Sequence, residues 1–239
     1  MVAAAAVIPS MGTGLPFRSA ADAIALVGLL AIARVFMSLA AMDIGTAFGT
    51  LGARRDMMIG FLAEPALLMV IFVASLISAT TALPLIAERL VVQPLALYPS
   101  LAFTAVAFTM VLLAENARIP VDNPATHLEL TMIHEAMLLE YSARHLALME
   151  WAAALKLFNY ACIGFALFVP WGTSIGETGI GALALSIPAL LAKLVVAGLW
   201  LALLETVSAK LRVFSAPEFM ATAFMFAVLG LLVHLLLGV

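Results

Sequence analysis

Residues 182–206 read ALALSIPALLAKLVVAGLWLALLET, and this stretch carries only two charged side chains, Lys193 and Glu205. A helix needs roughly 20 mainly apolar residues to cross the ~30 Å hydrocarbon core of a bilayer, so this stretch is long enough to span it. Backbone N–H and C=O groups in lipid must be hydrogen-bonded within the protein, and a helix achieves this within one segment. The stretch therefore predicts a transmembrane helix.

The composition of the whole chain also indicates a membrane protein. Its 239 residues are 65% hydrophobic and 10% charged, with a mean hydropathy of +1.19. Soluble domains carry about 25% charged residues, so this chain has too few polar groups to cover a water-exposed surface. We expect membrane lipid as its surroundings. The net charge of −3 gives no reason to expect nucleic acid as a partner.

Several further apolar stretches meet the same length criterion. We predict complete spans at 22–42, 58–83, 99–114, 145–169, 182–206 and 216–238, preceded by the end of one more helix at 2–11. Such long continuous runs do not fit the roughly ten-residue alternating strands of a membrane β-barrel. Asp22 is a typical N-cap for the first complete span. No repeat or linker divides the sequence, so we expect an all-α polytopic transmembrane helical bundle forming a single membrane domain, 1–239.

The lysine and arginine residues between the spans predict the orientation, because positive residues favour the cytoplasmic side. Connections 43–57, 115–144 and 207–215 lie on one side and hold six of these residues, whereas the other side holds two. The six are Arg54, Arg55, Arg118, Arg144, Lys210 and Arg212, and the two are Arg18 and Arg89. We therefore expect 115–144 to be cytoplasmic and the C-terminus to be external. Arg54 and Arg55 fit a membrane-surface anchor, with a partner contact as the alternative, and we count Arg118 as a third partner-contact candidate.

Charged residues inside the predicted spans are the first functional candidates. Three basic residues lie there, and three acids lie nearer the cytoplasmic ends: Arg34, Lys156 and Lys193, then Glu64, Glu150 and Glu205. A charge at the centre of a bilayer costs at least about 2.5–3.5 kcal/mol, so it usually faces a partner or water. A static ion pair or a side chain reaching the interface is the simpler interpretation for Glu205. Lys156 and Lys193 are too deep for that, which favours a functional role.

The connection AENARIPVDNPATHLELTMIHEAMLLEYSARH, residues 114–145, is unusually polar for this chain. Pro120 and Pro124 disfavour a regular helix before 125, and the THLE sequence from Thr126 predicts a capped helix after it. HEAML begins like the zinc motif His-Glu-x-x-His but lacks its second histidine, so we expect no metal site. A polar interfacial helix and a docking surface remain as interpretations. The single cysteine, Cys162, excludes a disulfide or thiolate cluster, so any redox centre must belong to another chain.

Three long stretches of the sequence resemble one family. They are AIARVFMSLAAMDIGTAFGTLGARRDMMIGFLAEPALLM at 31–69, ENARIPVDNPATHLELTMIHEAMLLEYSARHLALMEWAAALKL at 115–157, and ALLETVSAKLRVFSAPE at 202–218. All three resemble the membrane-anchor subunit of group 4 [NiFe] hydrogenases, as in formate hydrogenlyase and hydrogenase-4. That subunit is related to the quinone-site subunit 1 of respiratory complex I. The resemblance covers nearly the whole chain.

The resemblance implies an eight-helix subunit of the bacterial or archaeal cytoplasmic membrane. This chain departs from that pattern at its start, where the first helix and most of the second are missing before Met1. It also implies hydrogenase large and small (iron–sulfur) subunits and antiporter-like membrane subunits as partners, with the nickel–iron and iron–sulfur centres in the partners. The 115–144 connection would form the docking floor for the catalytic arm. Redox chemistry would be coupled to proton or sodium movement through a path of ten residues: Glu115, Asp122, Glu129, Glu135, Glu140, Glu150, Lys156, Lys193, Glu205 and Glu64.

Two other functions compete with this one. A quinone-reducing complex I subunit typically reads Phe-Asp-Leu-Pro-Glu where this chain has VDNPATHLEL, which favours the hydrogenase branch. A stand-alone secondary transporter would usually show inverted repeats and broken helices in both halves, and the sequence shows neither. The chain also lacks a nucleophile–base pair or a phosphate-binding loop, so we expect a non-catalytic subunit.

Overall fold

The computed structural model describes residues 1–14, 20–92, 98–122, 133–175, 180–208 and 216–237. Within these ranges the chain forms helices and no extended strand, only two isolated bridges. The helices are α1 (Val2–Val7), α2 (Ala23–Asp43), α3 (Ala47–Ser78), α4 (Leu83–Val92), α5 (Pro99–Glu115), α6 (His134–Leu138), α7 (Ala143–Phe168), α8 (Ile180–Val207) and α9 (Ala216–Leu237).

The long helices confirm an all-α polytopic bundle. In the described part of the chain, five helices are long and apolar enough to cross a membrane: α2, α3, α7, α8 and α9. The 17-residue α5 stands at the short end of the spanning range of roughly 17–25 residues. The apolar segment that begins the chain contributes only the six residues of α1. The protein is therefore a multi-pass membrane protein.

The predicted bounds of the second span were wrong, because α3 occupies Ala47–Ser78 rather than 58–83. The hydroxyl of Thr46 accepts a hydrogen bond from the N–H of Gly49 at 3.3 Å and so caps the helix well before the expected start. Ala79, with a left-handed φ of 46°, ends it. Arg54 and Arg55 consequently lie on α3 and not in a connection. Residues 54–56 were predicted to lie in a connection because three consecutive charged residues were interpreted as the end of a membrane span.

Helix α3 is the central helix of the bundle and packs against α2, α5 and α9. Half of its most apolar window is buried inside the protein, against 6% for α8. Glycines allow the close approaches: a Cβ at Gly52 would lie 2.8 Å from the carbonyl oxygen of Ile133, just before α6. A Cβ at Gly230 on α9 would lie 2.7 Å from the Thr104 methyl carbon of α5. These contacts bring α6 against α3 and α9 against α5.

The start of α2 is fastened to the end of α3. Asp22 caps α2 as predicted, since its Oδ1 accepts hydrogen bonds from the N–H groups of Ile24 and Ala25 at 2.9 and 3.1 Å. The Thr81 hydroxyl donates to the second carboxylate oxygen of Asp22 at 2.6 Å. Backbone hydrogen bonds join Ala23 to Thr81 and Leu83 to Ala21. The two helices are therefore held antiparallel at this end.

Candidate functional site

Four charged side chains from four helices form one connected group inside the bundle, here called the buried charge network. The Arg34 guanidinium of α2 contacts Oε1 of Glu64 on α3 at 2.5 Å and Oε1 of Glu115 on α5 at 2.8 Å. The Lys156 ammonium of α7 contacts the other oxygen of Glu115 at 2.9 Å. The Glu115 carboxylate is thus shared by two cations. One of them, the Arg34 guanidinium, also contacts Glu64.

The network is almost fully buried except at Glu64. Arg34, Glu115 and Lys156 are 7%, 5% and 5% exposed, whereas the Glu64 side chain is 37% exposed. With all groups ionised, two positive and two negative charges cancel. Removing one partner of a buried ion pair leaves an uncompensated charge, which is strongly destabilising. The network is therefore stable only as a complete set, and Glu64 is its most accessible end.

The network lies deep along the helices that carry it. Arg34 is 11 residues from the start of α2, about 17 Å at 1.5 Å per residue. Lys156 is 12 residues from the end of α7, about 18 Å. A bilayer core is about 30 Å thick, so these charges lie far from either water interface. Their location explains why each needs an opposite charge from a neighbouring helix.

Two residues of α3, Gly60 and Pro65, shape the helix beside the network. A Cβ at Gly60 would lie 1.7 Å from the Arg34 Nη1 atom, so only glycine lets this guanidinium lie across α3. Glu64 follows one turn later, where it meets the same guanidinium. Pro65 lies inside the helix and has no N–H, so the carbonyl of Phe61 loses its helical donor. Helix α3 therefore has a weakened hydrogen-bond ladder beside Glu64.

A second polar group, the Asp56–His134 pair, links α3 to α6. The Nδ1 atom of His134 lies 3.4 Å from Oδ1 of Asp56, and the Ser38 hydroxyl donates to the other Asp56 oxygen at 3.3 Å. Asp122 holds the start of α6, because its Oδ2 accepts hydrogen bonds from the backbone N–H groups of His134 at 2.9 Å and Ile133 at 3.3 Å. The start of α6 is thereby held by Asp122 and, through His134, by α3.

The network and the pair face one space, here called the charged cavity, of about 300 Å³. Arg34 and Lys156 of the network line it together with both members of the Asp56–His134 pair. Its remaining walls are mainly apolar and include Met37, Leu148, Trp151 and Leu155. Carboxylate, imidazole and ammonium groups around a common cavity can exchange protons with water in it. The arrangement is therefore suited to moving protons or to holding a polar ligand group.

A second space of about 510 Å³, the α7–α8 groove, separates α7 from α8. Asn116, Arg118 and Glu150 line one end of it, and apolar residues of both helices line the rest. Arg118 contacts Glu205 of α8 at 3.5 Å, and both side chains are partly exposed. This pair joins the end of α5 to α8.

The structure brings together only part of the predicted path. Glu64, Glu115 and Lys156 belong to the network, and Asp122 reaches the charged cavity through α6. The others lie apart from the network. Glu135 is half-buried, Glu140 and Glu150 are exposed, Glu205 pairs with Arg118, and Lys193 lies over the Phe165 ring at 5.8 Å. Arg54 is exposed and Arg55 half-buried on α3, while Glu129 and the helix predicted from Thr126 lie outside the described residues.

Sequence reasoning did not assign a role to Arg34, Asp56 or His134. Arg34 carried a usable signal, since a charge at the middle of a span needs a partner. Asp56 carried none, because it lay in the presumed loop 43–57. Tyr160, fully buried one turn after Lys156, interacts with Glu115 and looked like an ordinary apolar-face residue. Among the described residues, no three His, Cys, Asp or Glu side chains are grouped as metal ligands.

Comparisons with known proteins show the family of the chain. A family model described as NADH dehydrogenase matches residues 1–236. The chain is 32% identical over 230 residues to formate hydrogenlyase subunit 4 of Escherichia coli K12, covering 96% of this chain and 74% of that protein. It is also 32% identical over 172 residues to hydrogenase-4 component C of the same organism, covering 72% of this chain and 53% of that protein. The match thus spans about half the length of the second relative.

Proposed function

The chain belongs to the NADH dehydrogenase family, and we propose that it is the membrane subunit of an energy-converting [NiFe] hydrogenase complex. In this role it anchors a hydrophilic redox arm and couples electron transfer to the movement of protons or sodium ions. The observation that carries the proposal is the Glu115 carboxylate shared between Arg34 and Lys156 deep in the bundle.

Charge balance makes this carboxylate a suitable coupling element. If Glu115 gains a proton, both cations lose their common counter-charge in a region of low dielectric constant. Protonation of Glu115 therefore favours either deprotonation of Lys156 or movement of a cation toward another acid. Glu64 is the acid already in contact with Arg34. Proton uptake by Glu115 is thus linked to a change of charge at Lys156 or at the contact between Arg34 and Glu64.

The acidic connection supplies a physical link to the redox arm. Asp122 binds the start of α6, and α6 carries His134 to the charged cavity. A displacement of the connection by a docked arm would change the distance between His134 and Asp56. That change would alter the charge facing Arg34 and Lys156. We assign the 115–144 connection to the cytoplasmic side of a bacterial or archaeal cytoplasmic membrane, with the C-terminus external.

The metal centres of the complex belong to its other subunits in this proposal. Cys162 is the only cysteine of the sequence and is buried, so the chain offers no thiolate set for a nickel–iron or iron–sulfur centre. Large and small hydrogenase subunits would hold these centres above the 115–144 connection. Antiporter-like membrane subunits would receive the charge shift beside the bundle. Arg54 and Arg118 are candidate contacts for these partners, together with Arg55.

The test uses Glu115→Gln in the complete complex, with Glu218→Gln on the exposed first turn of α9 as matched control. Glutamine keeps the shape and one acceptor oxygen but cannot titrate, and its NH2 group would face one of the two cations. We expect the membrane potential generated per hydrogen evolved to fall at least tenfold for Glu115→Gln, and to stay unchanged for the control. A native gel checks assembly. Glu64→Gln, at the accessible end, repeats the test without altering the buried carboxylate.

Normal potential generation by assembled Glu115→Gln and Glu64→Gln complexes would overturn the coupling role. A quinone-site subunit is the second candidate, because the charged cavity combines two hydrogen-bond donors, His134 and Lys156, with apolar walls that include Trp151. Quinone carbonyls accept hydrogen bonds from such donors. The same preparations are therefore assayed with a soluble quinone. Quinone reduction that depends on His134, without hydrogen evolution, would replace the hydrogenase proposal.

A further inference from the structure

Helix α8 differs from the other spans because little of it is covered by the protein. Only 6% of its apolar window is buried, and α7 is its main neighbour among the described elements. Large apolar side chains point away from the bundle along its whole length: Leu185, Leu191, Val195, Val196, Leu199, Trp200, Leu203 and Val207. Lipid alone can cover such a surface. A charged residue on the same helix decides whether lipid is sufficient.

That residue is Lys193, which lies at the middle of α8. It is 13 residues from Ile180 and 14 from Val207, about 20 Å from either end at 1.5 Å per residue. Half of the ~30 Å hydrocarbon core is about 15 Å, so the amine cannot extend along the helix to reach either interface. Lys193 therefore needs a partner at its own depth.

The described part of the chain offers Lys193 an aromatic ring and no carboxylate. Its Nζ lies 5.8 Å from the centroid of the Phe165 ring, near the outer limit of about 6 Å for a cation–π interaction. Lys156, at a similar position in α7, has the Glu115 carboxylate at 2.9 Å. Lys193 is also partly exposed, whereas Lys156 is buried. No described side chain therefore supplies Lys193 with a carboxylate as Glu115 does for Lys156.

The α7–α8 groove gives a second helix access to this region. Leu194, next to Lys193, lines it, and small residues line both sides, including Ala154 and Ala161 on α7 and Ala197 and Gly198 on α8. A Cβ at Gly198 would meet nothing within 4 Å. Small side chains allow transmembrane helices to approach closely. The groove is therefore open where an incoming helix would need to pack.

We propose that a transmembrane helix of another subunit covers α8 and places a carboxylate beside Lys193. Lipid chains carry no charge at this depth and leave the ammonium unpaired. A second copy of this chain, packed α8 on α8 in the same orientation, would bring two Lys193 ammoniums to one depth, where they repel. The inference rests on the proposed role as a subunit of a larger membrane complex, but not on hydrogenase chemistry.

The experiment uses the complete complex in native membranes, with Val196 replaced by p-benzoylphenylalanine. Val196 is 66% exposed and one turn from Lys193. We expect a photo-adduct with one membrane subunit, at a helix that carries Asp or Glu at matching depth. Lys193→Met should lower both the adduct yield and the co-purified amount of that subunit at least tenfold. Lys193→Arg should keep most of both, and Val207→Met, near the end of α8, is the control.

A double-mutant cycle then tests the ion pair itself. Replacing the partner's acid by its amide should weaken co-purification as Lys193→Met does, and the two changes should not add. Adducts with lipid only, with a second copy, or with a helix lacking a carboxylate would overturn the inference, as would full retention of the partner by Lys193→Met. A complex that forms the adduct but lacks hydrogenase activity would contradict the proposed function alone.

Discussion

Lys156 and Lys193 occupy similar positions in two helices and have different surroundings. Each lies 13 residues into its helix, α7 or α8. Lys156 is 5% exposed and paired with Glu115, whereas Lys193 is partly exposed and lies over the Phe165 ring. Charge at depth is thus neutralised within the chain where the helices pack closely. Where α8 stands at the edge of the bundle, neutralisation requires another molecule.

The difference in packing follows from the side chains of the two regions. Half of the buried positions of α3 are glycine or alanine, including Gly52, Gly60, Ala63 and Ala66. Small residues let α2, α5 and α9 approach closely enough for short side-chain contacts between helices. Exposed positions of α8 carry large aliphatic side chains and Trp200 instead. The paired charges therefore lie where small residues of α3 allow close packing, and Lys193 lies on a helix with large exposed side chains.

Arg34→Met should have the largest effect, because it removes the cation shared by two acids. Glu115 would keep only Lys156, and Glu64 would lose its buried partner. Breaking a buried ion pair costs about 3–5 kcal/mol, so we expect the free energy of unfolding in detergent to fall by that amount. Arg54→Met is the control, since Arg54 is exposed on α3. Equal stability of the two variants would show that the network does not hold the bundle together.

Gly60→Ala should have the next largest effect, because the new methyl group would occupy the place of the Arg34 guanidinium. Overpacking of this kind costs about 1–3 kcal/mol. The control is Gly198→Ala on α8, where a Cβ meets nothing within 4 Å and the better helix propensity of alanine gains up to about 1 kcal/mol. Thermal unfolding of Gly60→Ala and Gly198→Ala measures the difference in stability between the two variants. Destabilisation by Gly198→Ala instead would mean that α8 is closely covered at that position.

Length and hydropathy were sufficient to predict the class of fold and most helix bounds. They failed at α3, where Arg54 and Asp56 made a helix look like a connection. Whether a polar residue lies in a loop or faces a neighbouring helix depends on what packs beside it. That information is in the tertiary arrangement and not in a hydropathy window.

The site was predictable only as a set of candidates. Depth in a span identified Lys156 as a charge that needed a partner, and the family resemblance indicated Glu115. Neither signal paired them, because the contact joins residues 41 positions apart on separate helices. Lys193 gave the same signal at the same depth and lies outside the network. Depth therefore shows which charges need partners, while packing determines which partners they have.

The smallest effect is expected at Asp22, which lies just before the span and fastens the start of α2 to the end of α3. The Thr81 hydroxyl, helped by the N–H groups of Ala25 and Ile24, lowers the pKa of the Asp22 carboxyl and outweighs the opposing effect of partial burial. A lowered pKa in the folded state stabilises the protein above the unfolded value, and this contribution is lost as pH falls through the folded pKa. Asp22→Ala should therefore cost about 1 kcal/mol at neutral pH, a typical value for an N-cap.

That cost should shrink as the pH falls from the ordinary aspartate pKa near 3.8 toward the lower pKa of the folded state, because the unfolded chain takes up a proton at Asp22 before the folded protein does. Chemical unfolding in detergent from pH 7 to pH 3 measures the difference between wild type and Asp22→Ala. Asp43→Ala, at the exposed far end of the same helix, is the control. A difference that stays constant over this range would mean that Asp22 holds α2 through geometry alone. The negative charge of Asp22 would then contribute nothing to the stability of the contact between α2 and α3.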